Sequence, residues 1–381
     1  MSSERLRHLL GRSLAAGLMA AAAVLPTAGS AQADARGGAD ALADCRRALA
    51  TPQGLRERPE CAARVYREPV ARWPAPSVDA GVRWQELGPR PASPEAPPAL
   101  SRLGEQLFFD PRLSRARDIS CASCHAPHLG FGDGRRVAVG HDGQAGPRHT
   151  PHLLGVGLVP ALMWDGRAAD LESQALLPLQ NPVEMAMDLP TLQRRLAQET
   201  EYPARFARVF GDEAITVQRL GQALAAFQRG IAAPRSRFDD FIEGQPQALN
   251  EQELRGLHLF RTQGRCMNCH SGPQFTQHEF HQIGISLLGR PRQDLGRQAV
   301  TGKAEDLGSM RTPTLRGIAR TAPYMHQGLL ATLRNVIDMY NVGMVQPPKR
   351  EPPLPPPSPL IQPLKLSPQD VQDLEAFLKT L

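Results

Sequence analysis

The sequence predicts a mainly α-helical fold with long loops and little β structure. Three observations carry that expectation. Apolar residues return at helical spacing in several stretches, strand-like alternation is scarce, and one short cysteine motif occurs twice, each time shortly after a helical run. With 381 residues the chain is long enough for two domains, each with its own core.

Taken in order, residues 1–33 have the pattern of a secretory signal peptide. Arg5, Arg7 and Arg12 precede an apolar run from Ser13 to Val24, and Ala31-Gln32-Ala33 supplies a small-residue cleavage site. The run is too short to span a bilayer, and no other stretch approaches ~18 uninterrupted apolar residues. Export to the periplasm without a membrane span is therefore expected. The formal charge of +6 falls to about +4 once that segment is removed, with no block of Lys and Arg, so nucleic acid is not an expected partner.

Residues 34–80 form a small Arg- and Ala-rich extension. Its cysteines, Cys45 and Cys61, read as a disulfide in an oxidising compartment. Closing a loop of that length contributes roughly 3 kcal/mol. Residues 81–232 make the first predicted domain. It holds a Pro-rich connector at 90–98, a helical run at 100–109 and its clearest helix at 216–231, where Val217, Leu220, Leu224, Phe227 and Ile231 share a stripe behind the N-cap Thr216. Residues 233–345 make the second, with an Asn250–Glu253 capping pair ahead of Leu254, Leu257 and Phe260. Eight prolines within 346–359 exclude a helix, so 346–364 reads as an extended linker or strap. A last helix in 365–381, capped by Ser367 and apolar through Val371, Leu374 and Leu378, is expected to pack back on the first domain.

The repeated motif is "CASCH" (121–125) and "CMNCH" (266–270). CxxCH is the attachment pattern of c-type haem: two thiols placed for thioether bonds to the porphyrin, then a His that turns under the ring to bind iron. The competing reading is one zinc held by the four thiolates. The His after each pair, the export signal and the placement of the pairs in different helical units favour two haems, on Cys121, Cys124 and His125 and on Cys266, Cys269 and His270. Four propionates would then bring the mature charge close to zero.

What separates a carrier from an enzyme is the sixth position on each iron. The ordered motifs "LFFDPRLS" (107–114), "GFGDGR" (130–135), "VGHDGQAGPRHTP" (139–151), "WDGRAADLESQALLP" (164–178), "PVEM" (182–185), "RTPTLRG" (311–317) and "APYMHQG" (322–328) surround the two haem motifs. Over roughly 84–381 this resembles the bacterial di-haem cytochrome c peroxidases, a family that includes MauG-type protein-oxidising enzymes. The resemblance implies two cytochrome-c-like haem domains facing each other, with the His125 haem as the peroxidatic one. It places His141 as the group that caps that iron at rest, ahead of His128, His149 and His152. It also gives Glu184 the distal acid–base role, Gln174 and Pro178 the pocket wall, and Trp164 the position between the haems.

Two departures stand out. The family's calcium ligand is an Asn where this chain has His149; the carbonyls of Thr321 and Pro323 remain, but imidazole is a poor calcium ligand, which puts calcium in doubt. The family's peroxidases place an axial Met fourteen residues after the position of His326, and here that position is Tyr340, as in MauG-type enzymes. Met339 lies one residue earlier, turned ~100° away on a helix, so only one of the two can face the iron; Met344 is too far along. The expected function is reduction of hydrogen peroxide to water with electrons from a small redox protein, a c-type cytochrome or a cupredoxin. The alternative is peroxide-driven oxidation of aromatic residues in a partner protein, and the third is plain electron transfer. A homodimer is open.

Overall fold

The computed structural model describes residues 28–351 and 353–381. The apolar segment Ser13–Val24 of the expected signal peptide lies outside the described residues. Residues Cys45–Leu381 form one compact unit and those up to Asp44 another. Fourteen α-helices and a single two-stranded pair, Phe280–His281 against Met310–Arg311, make up the described secondary structure along with short 3₁₀ turns.

The capped helices form where their caps predict. The Val217–Arg229 helix starts at Thr216, whose side chain accepts the Arg219 N–H. The Glu251–Arg261 helix starts at Asn250, which exchanges side-chain and backbone bonds with Glu253. In the first half, Pro98–Phe108 and Leu171–Gln180 both pack on Val217–Arg229. Gly104 makes the first contact as close as it is: a Cβ there would stand 1.8 Å from the Ala223 carbonyl oxygen. Leu103, Leu107, Leu220 and Leu224 fill the seam, all buried.

The second half is organised differently from expectation. The terminal helix, Pro368–Leu378, does not return to the first domain; it lies along Glu251–Arg261 in the second. Gly256 permits this, since a Cβ there would meet the Asp373 carbonyl oxygen at 2.0 Å. Arg255 donates to Asp373 at 2.8 Å, and Phe377 enters a cluster with Phe260, Phe238 and Phe275 at centroid separations of 5.4, 5.9 and 6.4 Å. Phe377 is fully buried there. Phe377→Ala is expected to cost about 3–5 kcal/mol, read as a lowered denaturant midpoint of the holoprotein.

The Pro-rich stretch runs as an extended strap. Ser358 donates its N–H to the Gln282 carbonyl, and Asn341 brackets Leu366 through both backbone groups, at 2.8 and 3.1 Å. A disulfide joins Cys45 to Cys61. The two predicted haem domains are joined by buried charge: Arg148 bridges Asp165 on its own side and Asp294 on the other, at 2.5 and 2.8 Å. Backbone bonds from Arg311 N to Trp164 O and from His149 N to His326 O, each 2.8 Å, cross the same seam.

Candidate active site

Each CxxCH motif is a single turn that presents thiols and imidazole together. Cys121–Cys124 is a short helix held at its start by Ser120 and Ser123. Cys266–Asn268 is a 3₁₀ turn entered through Arg265 in a left-handed conformation. None of these four cysteines is in a disulfide. The His125 Nδ1–H donates to the Phe131 carbonyl at 3.0 Å, and the His270 Nδ1–H to the Phe275 carbonyl at 2.9 Å. A carbonyl only accepts, so both tautomers are fixed and each Nε2 is left as a lone-pair ligand. Burial holds His270 at about 4 and pushes His125 down too, keeping both rings neutral.

Both sites fit a haem. Beside His125 lies a cavity of about 1070 Å³, at the upper end of the ~300–1,000 Å³ common for cofactor sites. Two cationic or polar groups face it without partners: Arg311 Nε and His152 Nδ1 are buried and make no hydrogen bond. Acidic edges of a haem would satisfy groups of that kind. Near His270, the His281 Nε2 is likewise buried and makes no hydrogen bond. Among the described residues no three His, Cys, Asp or Glu side chains converge on a metal position, so the two thiol pairs do not come together as one zinc site.

On the cavity wall with His125 stand Glu184, Gln174 and Pro178. Glu184 follows the Leu171–Gln180 helix in a turn closed by its own N–H to the Asn181 carbonyl at 3.0 Å. The Asn181 amide donates to Glu184 Oε1 at 2.7 Å and aims the carboxyl. Burial raises the Glu184 pKa; the Asn181 bond opposes that and is the smaller effect. Gly140 brings the neighbouring loop onto this turn: a Cβ on it would stand 2.6 Å from the Glu184 carbonyl oxygen, and the His141 N–H donates to that oxygen at 2.8 Å.

The His141 ring itself is not part of the cavity wall. Its Nε2 lies 3.4 Å from Asp142 Oδ2, and its Nδ1 is buried without a partner. His128 is exposed on a surface turn. His149 is committed to the Arg135 carbonyl through Nδ1 at 2.7 Å, and burial keeps it neutral. Trp164 lines the cavity, donates to the His149 carbonyl at 2.9 Å and stands 6.3 Å from the His326 ring.

At the second motif, the Leu333–Asn341 helix turns Tyr340 towards the thiols. Its phenol is raised by burial and further by Cys269 and Cys266. Met344 falls beyond the helix in a left-handed turn and is buried, its N–H bonded to the Met339 carbonyl. Sequence reasoning missed Asn181, three residues before Glu184, and Arg311, whose Nε has no partner. Only "NPVEM", an amide one helical turn before the acid, carried any signal.

Paired thiol–imidazole motifs, with a cavity on one imidazole and a carboxyl on its wall, define the class of di-haem proteins. Residues 98–247 match the di-haem cytochrome c peroxidase family. The chain is 37% identical to the cytochrome c551 peroxidase of Nitrosomonas europaea over 74% of this chain and 79% of the relative. It is also 37% identical to the methylamine utilization protein MauG of Methylophilus methylotrophus, over 77% and 85%. A solved MauG-like protein associated with microbial copper homeostasis superposes with a TM-score of 0.68 at 32% identity, covering 80% of this chain and 95% of that one. The chain belongs to the di-haem cytochrome c peroxidase family and is an oxidoreductase of the peroxidase class.

Proposed function

We propose that the protein is exported to the periplasm, carries two covalent c-type haems on Cys121/Cys124 and Cys266/Cys269, and reduces hydrogen peroxide to water. His125 and His270 are the proximal iron ligands. The observation that carries this reading is Glu184 on the wall of the His125 cavity, aimed by Asn181. A haem held by Cys121, Cys124 and His125 would supply a redox-active iron for peroxide reduction. Glu184 takes the proton from the inner peroxide oxygen and returns it to the outer one, so that the departing oxygen leaves as water. Gln174 orients the peroxide, and Phe108 and Met185 keep the wall apolar. Overall, two electrons and two protons convert one peroxide into two waters.

A haem held by Cys266, Cys269 and His270 would take electrons from a c-type cytochrome or a cupredoxin, and Trp164 is assigned to relay them between the two sites. His141 is assigned to cap the His125 iron at rest. Its ring lies beside Asp142, on the loop whose backbone bonds the Glu184 carbonyl. The reading does without calcium, since the His149 imidazole is already committed to a carbonyl.

Glu184 must be ionised to accept the proton. Because burial raises its pKa, the peroxide rate is expected to climb with pH through a value above the ordinary Glu range and to fall on acidification. A flat profile across that range, measured by initial rates, would contradict the assignment.

One feature favours the second reading, oxidation of aromatic residues in a partner protein: Tyr340 stands fourteen residues after His326, where a peroxidase-type axial Met is expected. Steady-state oxidation of reduced c-type cytochrome by peroxide separates the two. Sustained turnover supports the peroxidase, whereas haem oxidation by peroxide without donor turnover supports the protein-oxidising enzyme.

A further inference from the structure

We propose that Tyr66 and His258 form a proton-coupled redox site, in which Tyr66 gives an electron towards the second haem and its phenolic proton to His258 Nδ1. The inference rests on the peroxidase reading, because hydrogen peroxide is the oxidant. Tyr66 ends the Glu60–Tyr66 helix of the N-terminal extension, five residues past the disulfide at Cys61. It is 1% exposed, and its hydroxyl lies 3.0 Å from His258 Nδ1 on the Glu251–Arg261 helix.

In the His258 tautomer that carries its proton on Nε2, Nδ1 accepts from the Tyr66 hydroxyl across that bond. Burial and Arg261 hold His258 at about 4, a neutral base, while burial pushes the Tyr66 phenol up to about 12. A phenol in this position loses its electron and proton together or not at all.

The neighbouring Trp73 is the natural rival, edge-on to Tyr66 at 5.1 Å. Its indole N–H is committed to the carbonyls of Tyr66 and Glu68, at 3.1 and 2.9 Å, so it has no base to receive a proton. It would have to hold a cation radical, and the Arg261 guanidinium stands 5.2 Å over its ring. Neutral Tyr66 radical carries no charge, and Glu86 answers the Arg261 charge beside the protonated His258. The oxidising equivalent therefore rests on Tyr66.

The helix that holds His258 runs directly into the second haem motif. Leu259, the next residue, accepts the Gly264 N–H at 2.7 Å, and the Gly264 carbonyl lies 3.3 Å from Cys266 Sγ, the thioether position. Ser77 and Asp79 of the extension bond to Arg261 and Asn268 at 2.8 and 2.9 Å, seating it on the same motif. In the step, the Tyr66 O–H bond breaks, an N–H bond forms on His258, and one electron reduces the peroxide-oxidised haem pair. The donor protein later returns the electron, and the proton goes back to the phenol.

Freeze-quenching the holoprotein after mixing with hydrogen peroxide is expected to trap a neutral tyrosyl radical by electron paramagnetic resonance, with a signal that ring-deuterated tyrosine narrows. Tyr66→Phe should abolish it. His258→Gln keeps an acceptor for the hydroxyl but no base, and should lower the radical yield with haem content and helical circular dichroism unchanged. Haem absorption is followed in the same samples. A haem response to peroxide with no tyrosyl signal, or a signal undiminished in both variants, overturns the relay alone. Haems that do not respond to peroxide overturn the relay and the peroxidase reading together.

Discussion

Glu184→Gln is expected to lower the peroxide-dependent rate by roughly 10²–10⁴-fold, the usual worth of a placed general acid–base. Both haems should stay attached, because attachment is through the cysteines and the substitution leaves all four in place. Glutamine keeps the shape and can still meet the Asn181 amide, which now donates to Glu184 Oε1 at 2.7 Å. What it loses is the capacity to carry a proton between the two peroxide oxygens. The loss should appear in kcat/KM for peroxide and not in the KM for the electron donor, because the donor enters at the other haem. Asn181→Ala should show a smaller loss of the same kind, since the carboxyl remains but is no longer aimed.

Tyr340→Met is expected to raise the reduction potential of the second haem by an appreciable fraction of the ~0.8 V that axial ligands span. A phenolate is anionic and favours the oxidised iron, whereas a thioether favours the reduced one. The pocket sharpens the contrast: burial already raises the Tyr340 phenol, so its ionised form exists there only against a positive partner such as ferric iron. A potentiometric titration that resolves both haems checks this. The Met variant should also gain donor turnover, as the second haem becomes the better electron acceptor. An unchanged potential would mean that Tyr340 does not bind the iron.

What was legible in the sequence was local. The CxxCH turns, the caps at Thr216, Asn250 and Ser367 and the stripes behind them depend on neighbours three or four residues away, and they formed as expected. The partner of the terminal helix was not legible. Its apolar face shows that it docks but not where; that depends on Gly256, a small residue on another helix whose use appears only in contact. The same limit applies to the site. Glu184 could be placed from its motif, but Asn181 aiming it and Arg311 left without a counter-charge are products of tertiary packing. The motif located the His141 loop but not the ring, whose direction follows a nearby carboxylate. The extension at 34–80 looked like a staple with one disulfide, yet Tyr66 and Trp73 are buried against the second haem module.

The most direct test of the central claim is rapid mixing of hydrogen peroxide with the holoprotein, fully oxidised and half-reduced, while both haem spectra are recorded. A second-order change at the His125 haem in at least one of these states, slowed in Glu184→Gln, is the predicted result. No reaction in either state, or a reaction indifferent to Glu184, would contradict it.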